Sequence, residues 1–324
     1  MTSPPTPSPL PVSPLPASPL LTRPGAVAAD PPDAGVAAHY GDPYREQRAL
    51  VAGEAGVDLS HRPVIRVAGP DRLTWLHSLT SQHLEHLAPG IPIEALVLSP
   101  HGHVEHALYA VDDGEAFWFH VEPGTADDLV GYLDRMRFWS KVEVDNLTTA
   151  YAVVLTPDGV PGAPSRRTPE GVESFVPRAD VAEVLAGPVA GIWALEALRI
   201  AAGRPRLGRE TDHRTIPHEI GWLDTAVHLD KGCYRGQETV ARVHNLGRPP
   251  RRLVLLHLDG SDSVLPEPGE PVLLEDKVVG RVTSSARHYE LGPIALAVIK
   301  RSTPPDATLL TAGAAAAQEV LVPA

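Results

Sequence analysis

Cysteine is almost missing from these 324 residues: Cys233 stands alone. That excludes an intramolecular disulfide framework and any zinc or iron–sulfur site built from the cysteines of one chain. It also fits a reducing compartment, so a cytoplasmic location is expected. No uninterrupted apolar run approaches the roughly 18 residues needed to span a bilayer, and the amino terminus lacks both a basic leader and a continuous apolar segment. Neither export nor contact with a membrane is expected. Basic residues are short as well, 28 against 40 acidic ones, for a formal charge of −12. Stable nucleic-acid binding is therefore not expected, because phosphate contacts rely on a basic surface that releases counterions. Aromatic residues are sparse; the five tryptophans, Trp75, Trp118, Trp139, Trp193 and Trp222, are expected in cores or pocket walls rather than on a base-stacking platform.

Proline, by contrast, is abundant. Eleven of the 35 prolines fall within residues 1–35, with almost no charge and no apolar periodicity, which predicts a disordered or polyproline-like tail over residues 1–38. Single cores stop growing near roughly 250–300 residues, so the remainder should divide into more than one domain. Asp71 can cap a helix whose Leu73, Leu76 and Leu79 share a face. Strands are expected at 93–98, 104–111 and 116–121, the last two joined by the hairpin signal Asp112-Asp113-Gly114. An amphipathic helix over 126–139 and strands at 142–144 and 151–155 make this part α+β. A second helix covers 192–200 before Gly203-Arg204-Pro205 breaks it. A loop-rich stretch then runs to about residue 250, and short strands at 253–258, 271–274, 278–284 and 294–299 give the pattern of a small β-barrel over 248–324.

The densest group of unusual residues is Lys231-Gly232-Cys233-Tyr234-Arg235-Gly236-Gln237-Glu238. It sets the one thiol between two cations and two glycines. Glycines let backbone approach a ligand closely, and flanking cations favour a thiolate over a thiol, so Cys233 is the candidate reactive residue. Residues 199–252 carry eleven basic against six acidic side chains, reversing the sign of the whole chain and pointing to an anionic ligand. Ordinary interdomain salt bridges would use the same arginines. His101, His103 and Glu105 could share one strand face, but strand spacing is a weak signal and no metal site is assigned.

The octad resembles the signature of the YgfZ-type folate-binding proteins, relatives of the glycine-cleavage T protein (aminomethyltransferase). The resemblance continues through Ala197-Leu198-Arg199-Ile200, Gly203-Arg204-Pro205-Arg206-Leu207-Gly208, Ile216-Pro217-His218-Glu219 and Val279-Gly280-Arg281-Val282-Thr283-Ser284, and spans about residues 45–320. It implies a three-domain ring, with an aminomethyltransferase-like region of two α+β subdomains at 39–247 before the barrel and a tetrahydrofolate, or a one-carbon derivative of it, in the central hole. It implies a role in iron–sulfur enzyme maturation or repair, including enzymes that modify tRNA, with transient iron–sulfur client partners. Glu170-Gly171-Val172-Glu173 resembles the pterin-binding segment of the T protein, nominating Glu173, whose carboxylate suits the guanidine-like edge of a pterin. Arg199, Lys231, Gly232, Tyr234, Arg235, Gly236, Gln237 and Glu238 are the other cofactor-binding residues that the resemblance implies.

Two departures stand out. Where the T protein has the second aspartate of a Gly-Gly-Ile-Ile-Asp-Asp-Leu-like segment, Gly102-His103-Val104-Glu105-His106-Ala107-Leu108 has Ala107. Leu195 likewise replaces an arginine of the T protein. An alanine takes no part in acid–base chemistry, which argues against aminomethyl transfer. A folate-dependent one-carbon transferase and a folate-sensing module without chemistry remain the alternatives.

Overall fold

The computed structural model describes residues 15–247, 249–260 and 265–322. Two five-stranded sheets and a closed barrel organise it. In the first sheet the order is Pro92–Leu98, Val104–Asp112, Ala116–His120, Val64–Ala68 and Glu143–Asn146, antiparallel throughout. Helices Arg72–Leu79 and Ala126–Arg135 cover one face, burying Leu76, Leu79, Leu129 and Leu133 against Ile65, Val67, Phe117 and Phe119. Ala116–His120 is buried on both sides. Because strand side chains alternate, Phe117 and Phe119 enter the helix-covered core while Trp118 joins the core of the second sheet and His120 points the same way. The Asp112–Gly114 turn forms as expected: Asp113 Oδ1 accepts the N–H groups of Glu115 and Ala116 at 2.8 and 2.7 Å.

The second sheet runs Ser165–Thr168, Gly171–Pro177, Tyr151–Thr156, Gly56–Asp58 and Val189–Ala190, only its last pair parallel. Helix Ile192–Ala201 packs Leu195 and Leu198 against it and reaches the barrel through Arg199, whose Nη2 donates to Ser284 Oγ at 2.9 Å. The barrel closes six strands in the order Arg251–Leu258, Gly292–Lys300, Lys277–His288, Pro271–Leu274, Leu309–Thr311 and Ala314–Val320. Among the described residues no helix is long and apolar enough to cross a membrane.

Three expectations need correction. Residues 15–38 are not an unstructured tail; they fold. A 3-10 turn at Pro19–Thr22 buries Leu20, Val27–Ala28 pairs with Ala37–His39, and Val36, Ala37 and Ala38 are buried. Proline-rich composition masked a few apolar residues that suffice to anchor the segment, while residues 1–14 lie outside the described residues. The loop-rich stretch contains helices Trp222–Ala226 and Gln237–Leu246. Trp75, Trp118 and Trp222 are buried, but Trp193 is half exposed and Trp139 is 97% exposed, on a loop that follows a helix ending at Arg135 rather than 139.

Candidate functional site

A cavity of about 600 Å³ opens where the two sheets, helix Ile192–Ala201 and the end of the barrel chain meet. Tyr109 faces it from the first sheet and Glu122 from just beyond that sheet's strand Ala116–His120, Arg166 and Glu173 from the second sheet, Arg199 from the helix, Trp222 from the short helix Trp222–Ala226, and Leu321 from the segment after the last barrel strand. Glu173 sits within Gly171–Pro177, where strand alternation turns it toward His120 of the first sheet. Its Oε2 accepts His120 Nε2–H at 3.0 Å and also Arg166 Nη1–H, while Oε1 faces Arg62 Nη1 at 3.5 Å. Burial pushes this carboxyl upward, but Arg166, His120 and Arg62 together hold it well below the usual carboxylate range. Burial pushes His120 down to about 4 against the opposing pull of Glu173. The ring is therefore neutral near pH 7, donates from Nε2 and leaves Nδ1 without a partner. Tyr109 stacks on it at 5.1 Å.

Beside this cluster lies a larger one. Arg206, only 2% exposed, donates to Asp33 at 2.7 Å and Glu122 at 2.6 Å and pairs with Glu196 at 2.9 Å. Arg199 donates to Glu196 at 2.8 Å and Glu210 at 3.1 Å. Arg204 pairs with Glu170, Arg235 with Glu105, and Arg251 with Asp212 and Glu219. The basic excess over residues 199–252 is thus largely neutralised by carboxylates, many from elsewhere in the chain, and does not form a free cationic patch. Two cations on the cavity are less committed. Among the described residues, Arg62 is buried with its Nε unpartnered, and Arg167 lies exposed at the rim.

None of the octad lines this cavity. Lys231 is buried and its ammonium donates to the carbonyls of His77, Thr80 and Gln82, filling the open end of helix Arg72–Leu79. Burial pushes it down to about 8. Tyr234 turns into the core with Ile220, Trp222 and Val240. Gly232, Cys233 and Glu238 are exposed. Arg235 reaches Glu105 at 2.8 Å, and Gln237 Nε2 donates to Lys231 O at 3.4 Å. Gly236 has φ +83° and approaches the 99–103 turn so closely that a Cβ would lie 2.5 Å from Ser99 O. The structure thus does not bring the thiol to this cavity. Tyr234 and Lys231 turn inward to serve packing and a helix end, and that carries Cys233 to the outer surface, with both flanking cations engaged elsewhere.

Ala107 is buried in the interdomain core and does not line the cavity. His101, His103 and Glu105 are not gathered within ligating distance. The residues that sequence reasoning missed, Arg62, Arg166, His120 and Asp33, come from four separate segments, and only the strand expected at 116–121 placed one of them, His120, on a regular element.

Comparison with known proteins agrees with this architecture. Residues 251–323 match the glycine cleavage T-protein C-terminal barrel domain. The fold resembles the glycine cleavage system aminomethyltransferase T of Bartonella henselae, with a TM-score of 0.77 at 18% identity over 93% of this chain and 94% of that one. The fold as a whole is thus that of a glycine-cleavage T protein, and its C-terminal barrel matches that family's barrel domain. Among its relatives, a putative chloroplastic transferase of Arabidopsis thaliana is 29% identical over 77% of this chain and 68% of its own length. A mitochondrial iron–sulfur cluster assembly factor IBA57 homolog of Mycosarcoma maydis is 26% identical over 60% of this chain and 55% of its own.

Proposed function

We propose that this protein binds tetrahydrofolate and acts as an accessory factor in iron–sulfur cluster assembly or repair, supporting iron–sulfur enzymes that include tRNA-modifying ones. The observation that carries the reading is the position of Cys233: exposed, on a loop fastened by its neighbours, and outside the cavity. Such a thiol meets a macromolecular client more readily than a small molecule held in the cavity. One thiolate cannot hold a cluster alone, so client cysteines or a small thiol supply the other ligands, and the contact is transient. In the cavity, Glu173 Oε1 retains acceptor capacity for a pterin N–H, and Arg62 Nε offers a donor beside it. Because Oε2 is already taken by His120 and Arg166, Glu173 accepts one hydrogen bond from the pterin rather than a bidentate pair. Arg167 suits the carboxylates of a folate glutamate tail. Arg199 lines the cavity with its guanidinium already engaged by Glu196, Glu210 and Ser284, and the octad residues other than Cys233 act from outside the cavity, through packing and ion pairs.

Aminomethyl transfer to the folate is the alternative, favoured by the likeness to the Bartonella chain. By the resemblance, Ala107 stands where such transfer would use an aspartate. Titration with tetrahydrofolate, read by the fluorescence of Trp222 in the cavity wall, tests the cofactor. A saturable change that weakens at least about tenfold in Glu173→Ala is expected, the size of one charged hydrogen bond. Absence of any saturable change in the wild type removes every folate reading. In cells, Cys233→Ala should lower iron–sulfur enzyme activities; unchanged activities leave a binding module without thiol chemistry.

A further inference from the structure

We infer that His77, His83 and Glu85, with His228 as a fourth donor, form a binding site for one divalent first-row transition ion of the Zn²⁺ class. The site lies apart from the cavity residues and does not depend on the folate reading. One ligand atom from each of His77, His83 and Glu85 falls within 4.8 Å of the others. Bonds of about 2.1 Å place tetrahedral donors about 3.4 Å apart, so small side-chain rotations close the set. His83 is the hub. Its ring lies 4.8 Å from that of His77 at right angles and 5.2 Å from that of His228. Imidazoles joined by one carboxylate select zinc-like ions over magnesium or calcium, which prefer all-oxygen sets.

The backbone is built to hold these donors. Helix Arg72–Leu79 delivers His77 near its end, and the loop beyond it presents His83 and Glu85 two residues apart. The opposite strip is tied to that loop: His228 N–H donates to Ser81 O at 2.9 Å, and Ser81 Oγ–H to Ala226 O at 2.6 Å. His77 is buried while Glu85 is exposed, so the site is open to water on one side. One contact must give way. His77 Nδ1 accepts the Leu84 N–H at 3.2 Å. If the ion binds Nδ1, that lone pair is used; if it binds Nε2, the ring proton moves to Nδ1. Either way Leu84 N–H loses its acceptor, and one long hydrogen bond is exchanged for a coordinate bond. A bound ion would cross-link the 79–86 loop to the 226–231 strip that leads into the octad.

The test uses the full chain without an affinity tag, titrated with Co²⁺ and then Zn²⁺. The expected result is one Co²⁺ per chain, with the visible absorption of a four- or five-coordinate ion, displaced by Zn²⁺. His83→Ala and Glu85→Gln, both outside the core, should each weaken binding at least about tenfold, the lower end of what disturbing a metal's ligand set costs. The double substitution His101→Ala/His103→Ala should leave it unchanged. No saturable absorption, or full binding in both His83→Ala and Glu85→Gln, overturns the proposal. So does loss of binding in the His101/His103 double variant.

Discussion

Asp33 Oδ1 lies 2.7 Å from Arg206 Nη2, an ion pair that closes 173 residues of chain inside the protein. Burial raises the Asp33 carboxyl, but His61 and Arg206 overcome it and hold the group ionised. The same guanidinium also serves Glu122 and Glu196. Arg206→Met should therefore cost about 3–5 kcal/mol, because it strands buried carboxylates without their cation. Asp33→Asn, which keeps the shape and can still accept hydrogen bonds, should cost about 1–3 kcal/mol. Urea unfolding midpoints measure both, and a near-neutral Arg206→Met would show that the network contributes little.

Stability should fall as pH drops through a defined window. His120 titrates at about 4 in the fold against 6.5 in the unfolded chain, because burial disfavours its charged form. Between those values the unfolded state binds more protons, so unfolding free energy falls with falling pH by up to about 1.4 kcal/mol per pH unit for this one group. Above pH 6.5 the contribution is flat. Glu173, held low, adds a further loss only at more acid pH. His120→Gln keeps a donor for Glu173 and removes the titration, so its stability between pH 6.5 and 4 should slope less steeply than wild type by up to one proton.

Cys233 should react with a bulky disulfide reagent in the native protein within about threefold of its rate in the unfolded chain, since access limits a buried thiol but not an exposed one. Saturating the cavity should leave that rate unchanged. Strong protection by a cavity ligand would place the sulfur nearer the centre than the fold does.

Gly236→Ala meets two penalties at once. The residue holds φ +83°, and a Cβ would lie 2.5 Å from Ser99 O and 2.9 Å from Gly102 Cα. A cost of about 2–4 kcal/mol is expected from the left-handed conformation and the clash together. Hydrogen exchange should speed up in the 99–103 turn and in Gln237–Leu246, with the barrel strands unaffected.

The strands from 92 to 120 were legible because largely apolar runs of strand length and an Asp-Asp-Gly turn report local geometry. The barrel was legible for a similar reason, short apolar strands between Gly, Pro and Asp. Helix Gln237–Leu246 was not, since among its described side chains only Val240 is deeply buried and one residue leaves no period to read. The octad was recognisable as a motif, yet which way each side chain turns depends on partners such as His77 and Gln82, about 150 positions upstream. The contact of His120 with Glu173 likewise arises only when two sheets meet. Composition misjudged residues 15–38 because proline counts say nothing about where Leu20 or Asp33 finds a pocket.

Lys231 ties the end of one early helix to a segment formed far later in the chain. The terminal turn of Arg72–Leu79 and the loop after it keep three carbonyls whose donor arrives only when that remote segment docks. A nascent chain that has emerged only to residue 200 would thus carry an incomplete first domain, its exit still hydrated and loose. Docking of the octad strip and completion of that helix should be one cooperative event, so Cys233 would be presented only by a molecule whose halves have already joined.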